Sequence, residues 1–201
     1  CYIFMGSKRH LIVGMFSDPA RPLYGIGKMF PLDKIAPHHL LDFVQSRFAE
    51  SGKPISADVV EQLVKICESH PYYTQYVSHS LWELTPFNST ISASDLEDAL
   101  TLTVNRISPR YENLWELLPI RQRQALIALA TLPSTQKLFS ANVILKYGLA
   151  SATSFRKALT GLTDKGIVDK DKHKYAIIDI FFKKWIRQHF PVESWDESFQ
   201  H

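Results

Sequence analysis

Long apolar runs are missing from this sequence, and their absence excludes membrane-spanning proteins. Its apolar runs, such as Tyr2 to Met5 and Tyr175 to Ile178, are far too short to cross a bilayer, which takes about 20 residues. No segment has the basic, apolar, small-residue order of a signal peptide. We therefore expect a cytoplasmic protein without a membrane partner.

Cysteine is also scarce, which excludes a disulfide framework. The two cysteines, Cys1 and Cys67, lack the spacing of a zinc site. The histidines are scattered, and the adjacent pair His38 and His39 has no ligand partner at helical spacing. No Cys/His/Asp set suggests covalent catalysis. The sequence predicts no metal site.

Positive charge is concentrated near the C-terminus. Residues 119–190 carry 13 Lys and Arg against 4 Asp and Glu, a net charge of +9. Residues 1–118 and residues 191–201 each carry a net charge of −3. A basic C-terminal module predicts an acidic partner.

The N-terminal residues are typical of a parallel sheet. The run from Tyr2 to Met5 ends at Gly6, as in a strand buried on both faces, and residues 28–32 predict a returning strand. A central strand needs neighbours on both sides. We therefore expect the rest of the sheet upstream, with this chain as the C-terminal part of a larger protein.

Apolar stripes at helical spacing follow in residues 36–118. Pro37 begins one helix, Ser56 a second with Ile66 in its buried stripe, and Pro71 a third. A fourth begins at Ser92 and is predicted to break at Pro109. A domain boundary is expected near Pro119.

From Pro119 the pattern changes to a winged helix. Three predicted helices precede two strands, Ile167 to Val168 and Tyr175 to Ile178, joined by a charged turn at residues 169–174. A closing helix runs from Phe181 to Phe190. The predicted fold class is mainly α, with the remnant of a parallel α/β sheet at the N-terminus, a helical lid bundle and a C-terminal winged helix-turn-helix. The predicted domains are residues 1–35, 36–118 and 119–190, with an acidic tail at 191–201.

Four segments carry a family resemblance: Tyr2 to His10 (YIFMGSKRH), Ser69 to Tyr73 (SHPYY), Gly166 to Val168, and Tyr175 to Trp185. Their order resembles the C-terminal half of archaeal-type P-loop ATPases, among the AAA+ and STAND nucleoside triphosphatases. The segments resemble the sensor 1 strand, the lid motif, the wing and the closing aspartate-to-tryptophan stretch. Ser69 replaces the usual lid glycine, and Ile180 stands where proline is more frequent.

The resemblance implies roles for six residues. Ser7 would bond the γ-phosphate or the attacking water, and Arg9 or Lys8 would add positive charge. His70, Pro71 and Tyr72 would place proline and an aromatic ring against adenine. The residues alone leave simpler alternatives open: Ser7 caps a helix, Pro71 is a good first helical residue, and Tyr72 or Tyr73 belongs to the core.

The sequence has no G-x-x-x-x-G-K-[ST] phosphate-binding loop and no acidic strand end to position Mg²⁺. The resemblance therefore implies that ATP and Mg²⁺ are held only in the full-length protein, and that this chain alone holds no cofactor and does not hydrolyse ATP.

The third helix of the basic module is a candidate recognition helix. Its off-stripe residues Ser154, Arg156 and Lys157 suit base edges and phosphates, and Lys172 and Lys174 of the wing suit neighbouring phosphates. The alternatives are a solvated basic face and docking on a protein. Two functions remain open: the C-terminal part of an ATP-dependent switch, or a winged-helix DNA-binding regulator with a helical dimerisation or effector domain.

Overall fold

The computed structural model describes residues 2–5, 9–30, 35–133, 137–171 and 174–191. The chain divides into two compact units, residues 1–35 and 36–201. Each unit is described by itself.

The first unit contains one described helix, α1 (Arg9–Ser17). The expected strand at Tyr2 to Met5 is wrong, since these residues form no strand and Tyr2 is 92% exposed. Lys28 to Phe30 also form no strand, and residues 31–34 lie outside the described residues. An apolar run becomes a strand only when a partner strand hydrogen-bonds to it, and the described residues place none beside these segments.

The second unit begins with four helices: α2 (Pro37–Glu50), α3 (Ala57–Ile66), α4 (Pro71–Leu84) and α5 (Ala93–Glu116). Their starts confirm the predictions, with Pro37 and Pro71 in the first helical positions. The buried stripe of α3 differs by one residue. Val64 is buried and Ile66 is 37% exposed, because the apolar face turns away from the last helical residue.

Helix α5 is continuous through Pro109, so the predicted interruption there is wrong. A proline inside a helix removes one backbone hydrogen bond. Two neighbouring side chains compensate by bonding to a helix later in the chain: Ser108 Oγ accepts from Trp185 Nε1 at 2.8 Å, and Tyr111 Oη donates to Asp179 at 2.9 Å. Tertiary contacts therefore carry the helix past its proline.

The winged helix follows as α6 (Ile120–Thr131), α7 (Ala141–Lys146), α8 (Ala152–Asp164), β1 (Val168–Asp171), β2 (Lys174–Ile177) and α9 (Ile180–His189). Ser140 and Ser151 cap α7 and α8 through their hydroxyl oxygens. Gly166 has a φ of 68° just after α8, as its predicted C′ position requires. The predicted fold class is confirmed: the protein is mainly helical with a C-terminal winged helix.

The hairpin is longer than its apolar residues indicate. Strands β1 and β2 pair antiparallel, with Val168 opposite Ile177 and Asp171 opposite Lys174. Residues 169–171 therefore belong to a strand, and the predicted charged turn is too long. The apolar pattern misses them because this part of the hairpin extends away from the core, so its charged side chains remain solvated.

The core of the second unit passes without interruption from the first four helices into the winged helix. Helix α9 packs against both α5 and α6. Trp115 at the end of α5 stacks on Phe190 with ring centroids 4.6 Å apart. Residues 36–118 and 119–190 thus share one hydrophobic core.

Candidate functional site

The candidate residues of the first unit fall mostly outside the described residues. Ser7 and Lys8 are not described, so neither the sensor nor the capping interpretation of Ser7 is tested. Arg9 is the first residue of α1, and only its backbone is described. Their proposed roles stay predictions.

The turn before α4 keeps a glycine-like backbone without glycine. Glu68 and Ser69 have φ values of 50° and 55°, in the left-handed region that favours glycine. The Ser69 amide donates to the Val64 carbonyl at 3.0 Å, and the Glu68 amide donates to the Lys65 carbonyl at 3.1 Å. These bonds form the Schellman ending of α3. Ser69, in the segment that resembles the lid motif, therefore preserves the turn at a cost in strain.

The first turn of α4 separates its two tyrosines. Pro71 and Tyr72 are exposed, and Tyr72 retains 51% of its accessible surface. Tyr73 is buried, with its ring edge-on to Phe181 of α9 at 4.8 Å. The His70 ring lies 4.7 Å from the Tyr73 ring. Only Tyr72 of the pair is placed to meet a ligand.

A shallow cavity of about 520 Å³ lies at α7, and a second of about 350 Å³ lies beside Tyr72. Gln75, Tyr76 and His79 line the second cavity from α4, and Arg106 lines it from α5. Arg106 also bonds to Glu83 and holds the pKa of that carboxyl below its ordinary value. The exposed face of α4 is therefore aromatic, with the ion pair of Arg106 and Glu83 at one end.

Asp179 connects the start of α9 with α5. Its Oδ1 accepts from the Phe181 and Phe182 amides at 2.9 and 3.2 Å, and so caps α9. Its Oδ2 accepts from the buried Tyr111 hydroxyl. Burial, together with the nearby Asp179 charge, raises the pKa of both Tyr73 and Tyr111. Both phenols therefore stay protonated.

The core beneath α4 contains one free thiol. Cys67 is fully buried at the end of α3, and burial raises its pKa to about 12. Because the thiolate is the reactive form, this cysteine is a packing residue.

One face of the winged helix alternates cations with aromatic rings. The Arg156 guanidinium of α8 lies 4.6 Å from the centre of the Phe139 ring, and Lys170 Nζ lies 5.6 Å from the centre of the Tyr175 ring. The two rings are 6.3 Å apart. We name this set, with the exposed Lys157, the basic aromatic face. It brings the predicted recognition helix and the wing together.

Other predicted nucleic-acid residues are placed differently. Side chains alternate between the two faces of a strand, so Lys174 lies on the opposite face of the hairpin from Tyr175, together with Asp169. Ser154 is half-buried, and its amide donates to Ser151 Oγ in the cap of α8. Lys172 lies outside the described residues.

Carboxylates are absent from a long part of this module. Between Glu116 and Asp164 the sequence contains six Lys and Arg residues and no Asp or Glu. In α6, α7 and nearly all of α8, every charged residue is therefore a lysine or an arginine. Such a surface attracts anions over a distance of several ångströms.

Two kinds of site are not found in the described ranges. They contain no group of three or more His, Cys, Asp or Glu side chains able to hold a metal ion. Among the helices that the structure describes, none combines the length and the apolar character needed to span a membrane.

The comparisons with known proteins agree with this architecture. A family model described as a probable winged helix domain matches residues 109–188. These residues form a winged helix domain. The match begins at Pro109, so it includes the last part of α5 as well as α6 to α9.

A solved structure resembles nearly the whole chain. The Walker-type ATPase PABY2304 of Pyrococcus abyssi aligns with a TM-score of 0.59 and 18% identity, over 88% of this chain and 48% of its own. The chain therefore spans about half the length of that ATPase and shares its fold over this part. No curated protein matches the sequence.

Sequence reasoning misses the residues that position the candidate site residues. It gives Phe139 no role, although this ring holds Arg156 in place, and it includes Asp179 only as part of a motif. The signal for Asp179 is an acidic residue directly before an apolar helical stripe, the usual pattern of a helix cap. Phe139 carries no such signal, because it lies in a loop and its partner is distant in sequence.

Proposed function

We propose that this chain is the lid and winged-helix part of an ATP-dependent switch of the AAA+/STAND type. One observation supports the proposal most directly. In a single helical turn, Tyr72 faces solvent while its neighbour Tyr73 packs on Phe181 of the winged helix. A ligand that contacts Tyr72 would thus touch the helical turn that anchors the winged helix.

The exposed side chains at the start of α4 suit a nucleobase. Pro71 and Tyr72 offer an apolar ring and an aromatic face, on which a flat heterocycle stacks. The chain offers no phosphate-binding loop, so we propose that the phosphates and Mg²⁺ are held by residues outside this sequence. The part played by this chain is to contact the base and to transmit its presence through Tyr73, Phe181 and Asp179.

ATP binding by the full-length protein tests this function. Replacing Tyr72 with alanine removes the stacking face and is expected to weaken ATP binding about tenfold, since one stacked base is worth about 1–3 kcal/mol. Tyr72→Phe keeps the ring and should bind nearly as the parent does. Phe43→Ala, at an exposed aromatic residue of α2, is the matched control. Equal dissociation constants for Tyr72→Ala and the parent, measured by calorimetry, would contradict the proposal.

For the output of the switch we propose duplex DNA, bound by the basic aromatic face. Arg156 and Lys170 are held on aromatic rings in neighbouring positions, where backbone phosphates of a groove can be met in succession. No salt bridge occupies Arg156, Lys157 or Lys170 within the described residues. The alternative function, a DNA-binding regulator without ATP, predicts the same face but no effect of ATP on its affinity for DNA.

A further inference from the structure

An apolar groove on the winged helix adjoins the basic aromatic face, with which it shares Phe139. It has a volume of about 520 Å³ and runs along α7 to the turn before α8. Ile144, Leu145, Leu149 and Phe139 are among its lining residues, and Leu145 is 84% exposed. A phosphate backbone gains nothing from such a lining, so the groove calls for an apolar occupant.

Cationic side chains lie against residues that line the groove, or next to them in the chain. The Arg121 guanidinium donates to the Gly148 carbonyl at 3.2 Å, Lys146 is exposed at the end of α7, and Arg156 lies over Phe139. The nearest carboxylates in sequence are Glu116 and Asp164. An occupant that combines aromatic side chains with several carboxylates would complement both the lining and the rim.

The chain itself contains such a segment. Residues 192–201 read Val-Glu-Ser-Trp-Asp-Glu-Ser-Phe-Gln-His, with three carboxylates and no lysine or arginine. Trp195 and Phe199 are spaced four residues apart, with carboxylates on either side of Trp195. Residues 111–118 of α5 have a similar pattern, but Tyr111 and Trp115 are buried in the core.

The segment follows α9, which packs on α6. Phe190, at the end of α9, stacks on Trp115, and Arg123 lies 6.0 Å from the same indole ring. Arg121 is two residues from Arg123 on α6 and bonds to the groove residue Gly148. Ten extended residues reach about 33 Å, whereas α6, with its 12 residues, is only about 18 Å long.

We propose that residues 192–201 dock in the groove, with Trp195 and Phe199 on its apolar lining and the carboxylates facing Arg121, Lys146 and Arg156. The winged helix then carries its own acidic ligand. Because Arg156 also belongs to the basic aromatic face, the docked segment covers one edge of that face. The docking itself does not depend on whether the face binds DNA.

Disulfide trapping in the intact chain tests the docking. Asn142→Cys on α7 and Ser198→Cys place two thiols at the groove and between the aromatic residues without removing either. The control pairs Ser198→Cys with Thr101→Cys, an exposed residue of α5. Both variants carry Cys1→Ser, and the buried Cys67 does not react because its pKa is raised to about 12. In a glutathione buffer we expect the groove pair to form its intramolecular disulfide about tenfold faster, through a higher effective concentration.

Two further variants separate the contribution of the aromatic side chains from that of the carboxylates. Trp195→Ala with Phe199→Ala should lower the groove rate to that of the control. Glu193→Gln with Asp196→Asn and Glu197→Gln should lower it partly and abolish its dependence on salt. Equal rates for the groove and control pairs overturn the proposal. So do disulfides between two chains, which would make a second copy the occupant.

Discussion

Ser69 stands where the lid motif that this segment resembles usually has glycine. The left-handed backbone that glycine adopts freely is imposed here on a serine with a φ of 55°. The hydrogen bonds of the turn hold it there, since the Ser69 amide reaches Val64 and the His70 amide reaches the Cys67 carbonyl at 2.9 Å. The substitution is visible in the sequence, but only the backbone shows that the turn keeps its shape.

Ser69→Gly should therefore stabilise the protein. A side chain in the left-handed region costs about 1 kcal/mol, and glycine removes that strain, although its greater freedom in the unfolded state offsets part of the gain. We expect the free energy of unfolding, measured with urea, to rise by up to about 1 kcal/mol. Ser69→Ala is the control, because it removes the hydroxyl and keeps the strain. A loss of stability in Ser69→Gly would mean that the hydroxyl makes a stabilising contact.

At the scale of single elements, apolar spacing predicts the starts of helices well. Pro37, Ser56, Pro71 and Ser92 lie at the first helical or capping positions, because caps and first-turn prolines act locally. The errors arise where distant contacts decide the outcome. Bonds to α9 carry α5 through Pro109, and no strand in the described residues pairs with Tyr2 to Met5.

The wing shows the same limit for the candidate site. Lysines at 170, 172 and 174 look equivalent in sequence, but the hairpin register places Lys170 with Tyr175 and puts Lys174 on the other face. Asp169 shares the face of Lys174 and reduces the net positive charge of that face. The pairing of α8 with the wing through Phe139 could not be predicted, because it joins residues from a loop, a helix and a strand.

Charge reversal on these two elements tests DNA binding. Arg156→Glu and Lys170→Glu should each weaken binding to duplex DNA and flatten the plot of log K against log[salt] by about 0.9 for each phosphate that is no longer neutralised. Lys174→Glu is the matched control and should have a smaller effect. The weakening at Lys170 should be similar for all DNA sequences, since phosphates carry no sequence information.

Fluorescence anisotropy at several salt concentrations measures these affinities. Equal effects of Lys170→Glu and Lys174→Glu would argue against the basic aromatic face as the contact surface. If the parent chain does not bind duplex DNA even at low salt, the face is better explained as a surface for docking on protein.

At the scale of the whole second unit, α9 joins the helical half to the winged helix. Its capping residue Asp179 bonds to Tyr111 of α5, its Trp185 bonds to Ser108, and its Phe181 packs on Tyr73 of α4. On its other side α9 packs on α6, where Arg187 donates to the Ala130 carbonyl. Contacts of this kind on both sides make the two halves mutually dependent.

Residues 36–190 should therefore unfold in one transition. We expect urea curves followed by far-ultraviolet circular dichroism and by tryptophan fluorescence to coincide. Asp179→Ala removes the cap of α9 and leaves the buried Tyr111 hydroxyl without its acceptor, which should cost about 2 kcal/mol. Because one core serves both halves, the two probes should shift together. Asp179→Asn keeps an oxygen for the cap and should lose less. Two separate transitions, with Asp179→Ala moving only one of them, would mean that α9 does not couple the halves, and the path proposed from Tyr72 to the winged helix would fail with it.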